Sequence, residues 1–266
     1  MTLDAEAIDQ VAQELLDRET ERRDGGRVTE SFPGLDIDSA YRVQHELLAR
    51  KVAAGETVIG VKLGLTSRAK QIRMGIDSPL TAVLTDAMVI PNGEPLLASE
   101  LIHPRVEPEI AFVMRERLEG PGVTAATALA AVASVHAGLE VIDSRFADFS
   151  FALPDVVADN ASSARFVVSP YGVDPSTLDL WLEAAVLALN GEVVDSATGA
   201  AVQGHPAEAL ALAANDLASR GGAIEAGSIV LTGGMTDAVA VAPGDEILVR
   251  FTHLGSITLP IGEGAS

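Results

Sequence analysis

Glu107 and Glu109 head the run H-P-R-V-E-P-E-I-A-F-V-M, separated by a single proline. Side chains alternate between faces along a β-strand, so the two carboxylates share one face with roughly 7 Å between their α-carbons. A third, Glu140, stands inside another apolar run, V-H-A-G-L-E-V-I; ionised and unpaired there, it would carry a heavy desolvation penalty. Carboxylates placed this way suit a hard divalent cation. Magnesium or manganese takes oxygen ligands, and three monodentate carboxylates leave positions open for substrate and water. The competing reading pairs the glutamates with Arg105, Arg145 or Arg165, all nearby in sequence, and spacing alone leaves both open.

Lys62 poses a related question. In V-I-G-V-K-L-G-L-T its neighbours are apolar or glycine, so its ammonium either snorkels to solvent or is held in a site. The stretches T-G-G-M-T (232–236) and D-N-A-S-S (159–163) could present backbone N–H groups to a carboxylate or could simply be turns. Neither fits a dinucleotide or phosphate-loop fingerprint, no nucleophile elbow is present, and the five histidines lack zincin spacing. His205, in Q-G-H-P, reads as a cap at a helix start.

Composition narrows the chemistry further. Among 266 residues, 38 are acidic and 18 are lysine or arginine, a net charge of -20, which repels phosphate backbones and anionic membrane surfaces. Nucleic acid and membrane are therefore not expected partners. Without any cysteine, zinc-thiolate sites, iron–sulfur clusters and thiol nucleophiles are excluded, and any metal must rest on oxygen or imidazole. The acidic start, M-T-L-D-A-E-A-I-D-Q, has no basic or apolar segment of a signal peptide, and no apolar run reaches membrane-spanning length; a cytoplasmic location is the expectation.

The elements that must position these residues follow from periodicity. Residues 3–24 read as an amphipathic helix with Leu3, Ile8, Val11, Leu15 and Leu16 on one face, ended by Gly25-Gly26. A second helix, capped by Asp38 or Ser39, buries Ala40, Val43, Leu47 and Leu48 before Gly55. Residues 1–55 thus form a helical subdomain and 56–266 one α+β domain. In the latter, 58–66 reads as strand, A-K-Q-I-R-M-G as a short helix, A-V-L-T-D-A-M-V-I-P and I-A-F-V-M as strands, and 124–135 as a helix leading into a strand that carries Glu140. Asn190-Gly191 marks a hairpin, Pro206 and Gly221 bracket a helix, and the closing third reads as strands with a Pro243-Gly244 turn.

Together, V-K-L-G-L-T-S, H-P-R-V-E-P-E-I-A, E-V-I-D-S-R-F, V-A-D-N-A-S-S, N-G-E-V-V, G-H-P and L-T-G-G resemble the 2-oxopent-4-enoate hydratase and 4-oxalocrotonate decarboxylase family of the fumarylacetoacetate hydrolase superfamily, over nearly the whole chain. The resemblance implies a mixed β-sheet roll fronted by N-terminal helices. It implies a Mg2+ or Mn2+ ion on Glu107, Glu109 and Glu140, catalytic roles for Lys62 and Ser162, and substrate contacts from Leu80, Asp159, Asn160 and Ser163. Leu80, in S-P-L-T-A, stands where hydratases of the family carry an aspartate suited to adding water, which points to the decarboxylase branch; Ala82 departs from the glycine that branch keeps.

The activity so implied is removal of carbon dioxide from 2-oxohex-3-enedioate to give 2-hydroxypenta-2,4-dienoate, in the meta-cleavage route of aromatic catabolism, with a metal ion polarising the 2-oxo group. Lys62 would stabilise developing negative charge, Ser162 and the D-N-A-S-S backbone would hold the substrate carboxylate, and the apolar surface near Leu80 would not activate water. A hydratase of the same fold and a non-catalytic partner subunit are the alternatives. A complex with the pathway hydratase and a homo-oligomer are the expected associations. No histidine–glutamate dyad of the fumarylacetoacetate-cleaving kind is apparent in the sequence.

Overall fold

The protein is described by a computed structural model over residues 3–67, 71–72 and 79–264. The acidic N-terminal segment forms helix α1 (Ala5–Glu21), capped by the Asp4 carboxylate, which accepts from the Ala7 amide. It ends earlier than Gly25 would suggest, because Arg22 itself takes a left-handed conformation (φ 55). A single turn, α2 (Val28–Ser31), leads to α3 (Ile37–Ala53). The cap of α3 is Asp36, whose side chain accepts from the Ser39 amide, two residues before the earliest candidate read from sequence. Leu16, which the periodicity also places on the α1 face, is only half-buried, but Ile8, Val11 and Leu15 are buried on α1 and Ala40, Val43 and Leu47 on α3. These side chains pack with Leu80, Phe146, Val156 and Val157 from far downstream.

The rest builds two mixed sheets. In chain order the strands are β1 (Val58–Gly64), β2 (Leu80–Thr85), β3 (Leu96–Leu97), β4 (Arg105–Met114), β5 (Val132–Ile142), β6 (Ser163–Val168), β7 (Ala184–Leu189), β8 (Glu192–Thr198), β9 (Ile229–Leu231), β10 (Val239–Ala240), β11 (Glu246–Phe251) and β12 (Ser256–Gly262). Further helices among the described residues are α4 (Ala125–Ala130), α5 (Leu153–Ala158) and α6 (Pro206–Ser219). One sheet runs β2-β1-β9-β4-β5-β6 with β10 also on β4; the other runs β3-β12-β11-β7-β8. The β1–β9 and β3–β12 pairs are parallel and the remaining pairs antiparallel. This is the expected mixed-sheet α+β fold with N-terminal helices.

One difference from the periodicity matters for the site. The alanine-rich 124–135 stretch is helical only over α4, which Thr124 and Thr127 cap reciprocally. From Val132 the chain is already β5, because pairing along the whole of β4 outweighs the local helical preference of A-A-V-A-S-V. The hairpin turns at Asn190 (φ 53) and Gly191 (φ 85), and His205 caps α6 by accepting from the Ala207 amide. The short helix expected over A-K-Q-I-R-M-G lies outside the described residues except at Gln71 and Ile72.

The main core fills the space between the two sheets and under α6, with Ile110, Phe112 and Leu139 from the first sheet against Leu187, Val249 and Leu259 from the second and Leu210 from α6. Ile110 and Phe112 are offset by odd steps from Glu107 and Glu109, so the glutamates face away from this core.

Candidate active site

Strands β4 and β5 bring the three carboxylates together by register. Glu107 lies directly opposite Glu140, and Glu109 opposite Gly138, so all three side chains leave the same face of the sheet. One oxygen from each lies within 4.8 Å of the other two, and all three residues are buried. The proline between the first two has a place here. Its carbonyl accepts from the Met235 amide, so the side of β4 on which Pro108 lacks an N–H is the side crossed by the 232–236 loop, where no ladder bond is forgone.

That loop, T-G-G-M-T, grips the carboxylates. The Gly233 amide donates to Glu109 Oε2 at 2.7 Å. A β-carbon on Gly234 would lie 2.7 Å from Glu107 Cδ, and one on Gly233 would collide with Thr66. The V-K-L-G-L-T and L-T-G-G segments therefore meet around the cluster, with glycine required for the close approach.

Lys62, on β1, is 2 % exposed. Its Nζ lies 3.0 Å from Glu140 Oε1 and donates to the Ala161 carbonyl at 2.7 Å, so the ammonium is held in the site and does not snorkel. Against three carboxylates it supplies one positive charge. Burial, then repulsion from Glu140 and Glu107, raises the Glu109 carboxyl well above the ordinary range. Burial also raises Glu140, although Lys62 opposes it. Glu109 Oε1 is buried without a hydrogen-bond partner, whereas Glu140 Oε1 meets the Lys62 ammonium. An orphaned oxygen in a buried cluster of three carboxylates faced by one ammonium suits a hard divalent cation, which takes oxygen ligands and would offset the excess negative charge. Of the arginines that could have neutralised these glutamates, Arg145 is committed to Asp159, Arg165 to Glu100, and Arg105 stacks on Phe149.

The D-N-A-S-S segment is a left-handed turn made without glycine, Asn160, Ala161 and Ser162 all having φ between 47 and 58°. Such backbone costs about 1–3 kcal/mol per residue and persists only where its surroundings impose it. Here Asn160 pairs both its amide groups with the Val83 backbone at 2.9 Å, and Asp159 forms a buried ion pair with Arg145, whose Nη2 also donates to the Asp159 carbonyl at 2.7 Å. Burial pushes the Asp159 carboxyl up to about 6, with Arg145 pulling the other way. The turn aims the Ala161 carbonyl at Lys62 and presents Ser162.

A cavity of about 620 Å³ opens above the cluster, and among the described residues Lys62, Glu107, Leu80, Ala161 and Ser162 line it together with Arg27, Arg105, Phe149, Phe151 and Val156. Asp159, Asn160 and Ser163 are outside this lining and support the turn from behind. A larger cleft of about 760 Å³, between α1, α3 and the end of α6, contains none of the candidate residues. Sequence reasoning missed Arg27 and Phe149, and it weighed Arg105 only as a partner for glutamates. The alternation that aligns Glu107 with Glu109 also puts Arg105 on their face; no sequence signal marks Arg27.

The fumarylacetoacetate (FAA) hydrolase C-terminal family pattern matches residues 57–261. The chain is 44% identical over 257 residues to a 4-oxalocrotonate decarboxylase of Pseudomonas sp. (strain CF600), covering 97% of each. It is 37% identical to a 2-hydroxyhexa-2,4-dienoate hydratase of Comamonas testosteroni, covering 98% of this chain and 99% of that one. Among solved structures, a 4-oxalocrotonate decarboxylase from Pseudomonas putida G7, complexed with magnesium and adipate, superposes with a TM-score of 0.96 at 43% identity over 98% of this chain and 99% of that one. With its paired strands, carboxylate cluster and full-length relatives, the chain belongs to the fumarylacetoacetate hydrolase family, in the group that holds 4-oxalocrotonate decarboxylases and 2-hydroxydienoate hydratases.

Proposed function

We propose that this protein is a divalent-cation-dependent carboxy-lyase that converts 2-oxohex-3-enedioate (4-oxalocrotonate) to 2-hydroxypenta-2,4-dienoate and carbon dioxide in meta-cleavage aromatic catabolism. The observation that carries the reading is the buried Glu107–Glu109–Glu140 cluster with its orphaned Glu109 oxygen, set beside a buried lysine in a cavity. Its support from kinship is the relative that binds magnesium and adipate, a six-carbon dicarboxylate.

The three glutamates would hold Mg2+ or Mn2+, and the bound ion would supply Lewis-acid polarisation of the substrate's 2-oxo group. When the C5–C6 bond breaks, its electron pair moves through the conjugated carbons toward the 2-oxo oxygen. Lys62, the ammonium already buried in the cavity, would stabilise that charge and govern the returning proton. Ser162 would donate its hydroxyl to the substrate carboxylate. Leu80, Phe151 and Val156 line the same cavity and would keep water from the conjugated carbons, which favours decarboxylation over hydration. The hydratase kinship keeps water addition to a dienoate as the second reading. Association into a homo-oligomer and with the pathway hydratase belongs to the same proposal. Among the described residues no helix is long and apolar enough to cross a membrane.

Spectrophotometric turnover of 2-oxohex-3-enedioate and, in parallel, of 2-hydroxypenta-2,4-dienoate, each with magnesium and with chelator, tests the reading. Metal-dependent consumption of the first alone is expected, and Glu107→Gln should abolish it while leaving the folded circular-dichroism spectrum. Hydration of the dienoate as the main activity, or no turnover by the purified chain with metal supplied, would overturn it.

A further inference from the structure

Arg105 and Arg27 stand at the cavity mouth, and neither makes an ion pair with any described residue, in a chain that carries 38 acidic side chains. Both are half-buried, and both are seated on one short loop. The Arg105 guanidinium lies 4.1 Å from the Phe149 ring centroid. Arg27 donates to the Ser150 hydroxyl at 2.8 Å and to its carbonyl at 3.3 Å. The loop is itself tied down, with Asp148 and Phe149 in left-handed backbone and the Ala147 amide donating to the Gly25 carbonyl. A guanidinium fixed by stacking or by hydrogen bonds and left without a carboxylate is prepared for an anion from solution.

Strand geometry places that anion. Arg105, Glu107 and Glu109 alternate along one face of β4, whose register with β5 is unbroken over these residues. Burial grades along them, from Glu109 at 0% to Glu107 at 8% and on to the half-buried Arg105. Arg105 is thus one side-chain repeat, roughly 7 Å, beyond Glu107 toward solvent. An extended carbon chain advances roughly 1.2 Å per bond, by the same geometry that limits a polypeptide residue to about 3.6 Å, so the two carboxylates of a six-carbon diacid are separated by roughly 6 Å. The same cavity is lined by the apolar side chains of Leu80, Phe151 and Val156, and Asp237 also borders it.

We propose that Arg105 and Arg27 recognise the far carboxylate of a 2-oxo dicarboxylic acid whose 2-oxo acid end lies on the glutamate cluster, and so make the site selective for diacids over monoacids. This rests on the 2-oxo acid reading of the cluster given above. The contact is one of recognition: the far carboxylate leaves as neutral carbon dioxide, so an arginine that holds it as an anion binds the ground state at least as well as the transition state. Loss of the arginine therefore raises KM and leaves kcat unchanged or higher.

The test uses the full-length magnesium-loaded protein and two unreactive probes of equal chain length, 2-oxoadipate and 2-oxohexanoate, measured by isothermal titration calorimetry. Wild type is expected to bind the diacid more tightly. Arg105→Met and Arg27→Met, made separately, are expected to lose roughly ten- to hundredfold in affinity for 2-oxoadipate, with 2-oxohexanoate affinity unchanged; Arg105→Lys should recover part of the preference. Equal affinity of wild type for both probes, or a diacid preference that survives in both methionine variants, overturns the arginine assignment and leaves the metal site standing. Binding of neither probe by wild type would remove the 2-oxo acid reading itself, and this inference with it.

Discussion

Burial and mutual repulsion together keep protons on Glu109 and Glu140 above the pH at which carboxyls ordinarily ionise, and this has a measurable consequence for stability. The folded protein binds these protons more tightly than the unfolded chain, so the stability they contribute is complete below the unfolded carboxyl pKa of about 4.3. It is lost as pH rises through the raised folded values. A divalent cation needs the same carboxyls ionised, and its binding releases their protons. The two effects predict opposite trends. Without metal, the melting temperature should fall as pH rises above the ordinary carboxyl range; the increment given by a fixed magnesium concentration should grow over the same interval. Differential scanning calorimetry between pH 5 and 8, with and without magnesium, measures both. An increment that is absent or independent of pH would mean that the cluster is not where the ion binds.

At the scale of elements, a register and a loop build the site. The β4–β5 register sets Glu140 across from Glu107, and the 232–236 loop closes on both β4 glutamates. Each carboxylate stood out in the sequence because it interrupts an apolar run, and the shared face of Glu107 and Glu109 followed from alternation. That Glu140 joins them was not readable from spacing: cross-strand register between distant segments depends on the whole pairing ladder. The helical look of 124–135 hid the first four residues of β5, and with them the length of that ladder. T-G-G-M-T could be read either as a turn or as backbone N–H groups offered to a carboxylate, and the sequence could not choose because the carboxylate is one that only the fold brings near. Gly234 gives this a test. Its backbone lies outside the left-handed region, so alanine is conformationally tolerable there, but the new β-carbon would sit 2.7 Å from Glu107 Cδ. The carboxylate can move and the backbone need not. Gly234→Ala should therefore weaken magnesium binding, roughly 10- to 100-fold as for other disturbed supports of metal ligands, with little change in melting temperature. Calorimetric titration of magnesium beside a thermal melt checks it; unchanged affinity would show that the loop does not fix the Glu107 position.

Across the whole molecule, the N-terminal helices and the sheet share a boundary that is itself hydrophobic core. The periodicity of α1 and α3 gave their buried stripes except at Leu16, which is only half-buried, yet those stripes do not close on each other alone. Leu15 and Val43 pack in one cluster with Leu80, Phe146 and Val156, and Leu80 and Val156 also form the apolar wall of the cavity. Sequence could mark the stripes because helical spacing is local; it could not name their partners, which are far away in the chain and reach the helices only once β1 and β2 have paired. A unit whose core is completed by another unit loses that core when the two separate, exposing apolar surface on both. The helices and the sheet should therefore unfold together. Leu15, fully buried, reports on this from the helix side: Leu15→Ala should cost about 2–5 kcal/mol, as for other buried leucines. In guanidinium titrations followed by far-ultraviolet circular dichroism and by fluorescence of Trp181, which lies beyond the helices just before β7, the variant should move both curves to lower denaturant by the same amount. A helical signal lost first, while the Trp181 signal stayed at its wild-type midpoint, would instead mean that residues 1–55 fold as a unit of their own.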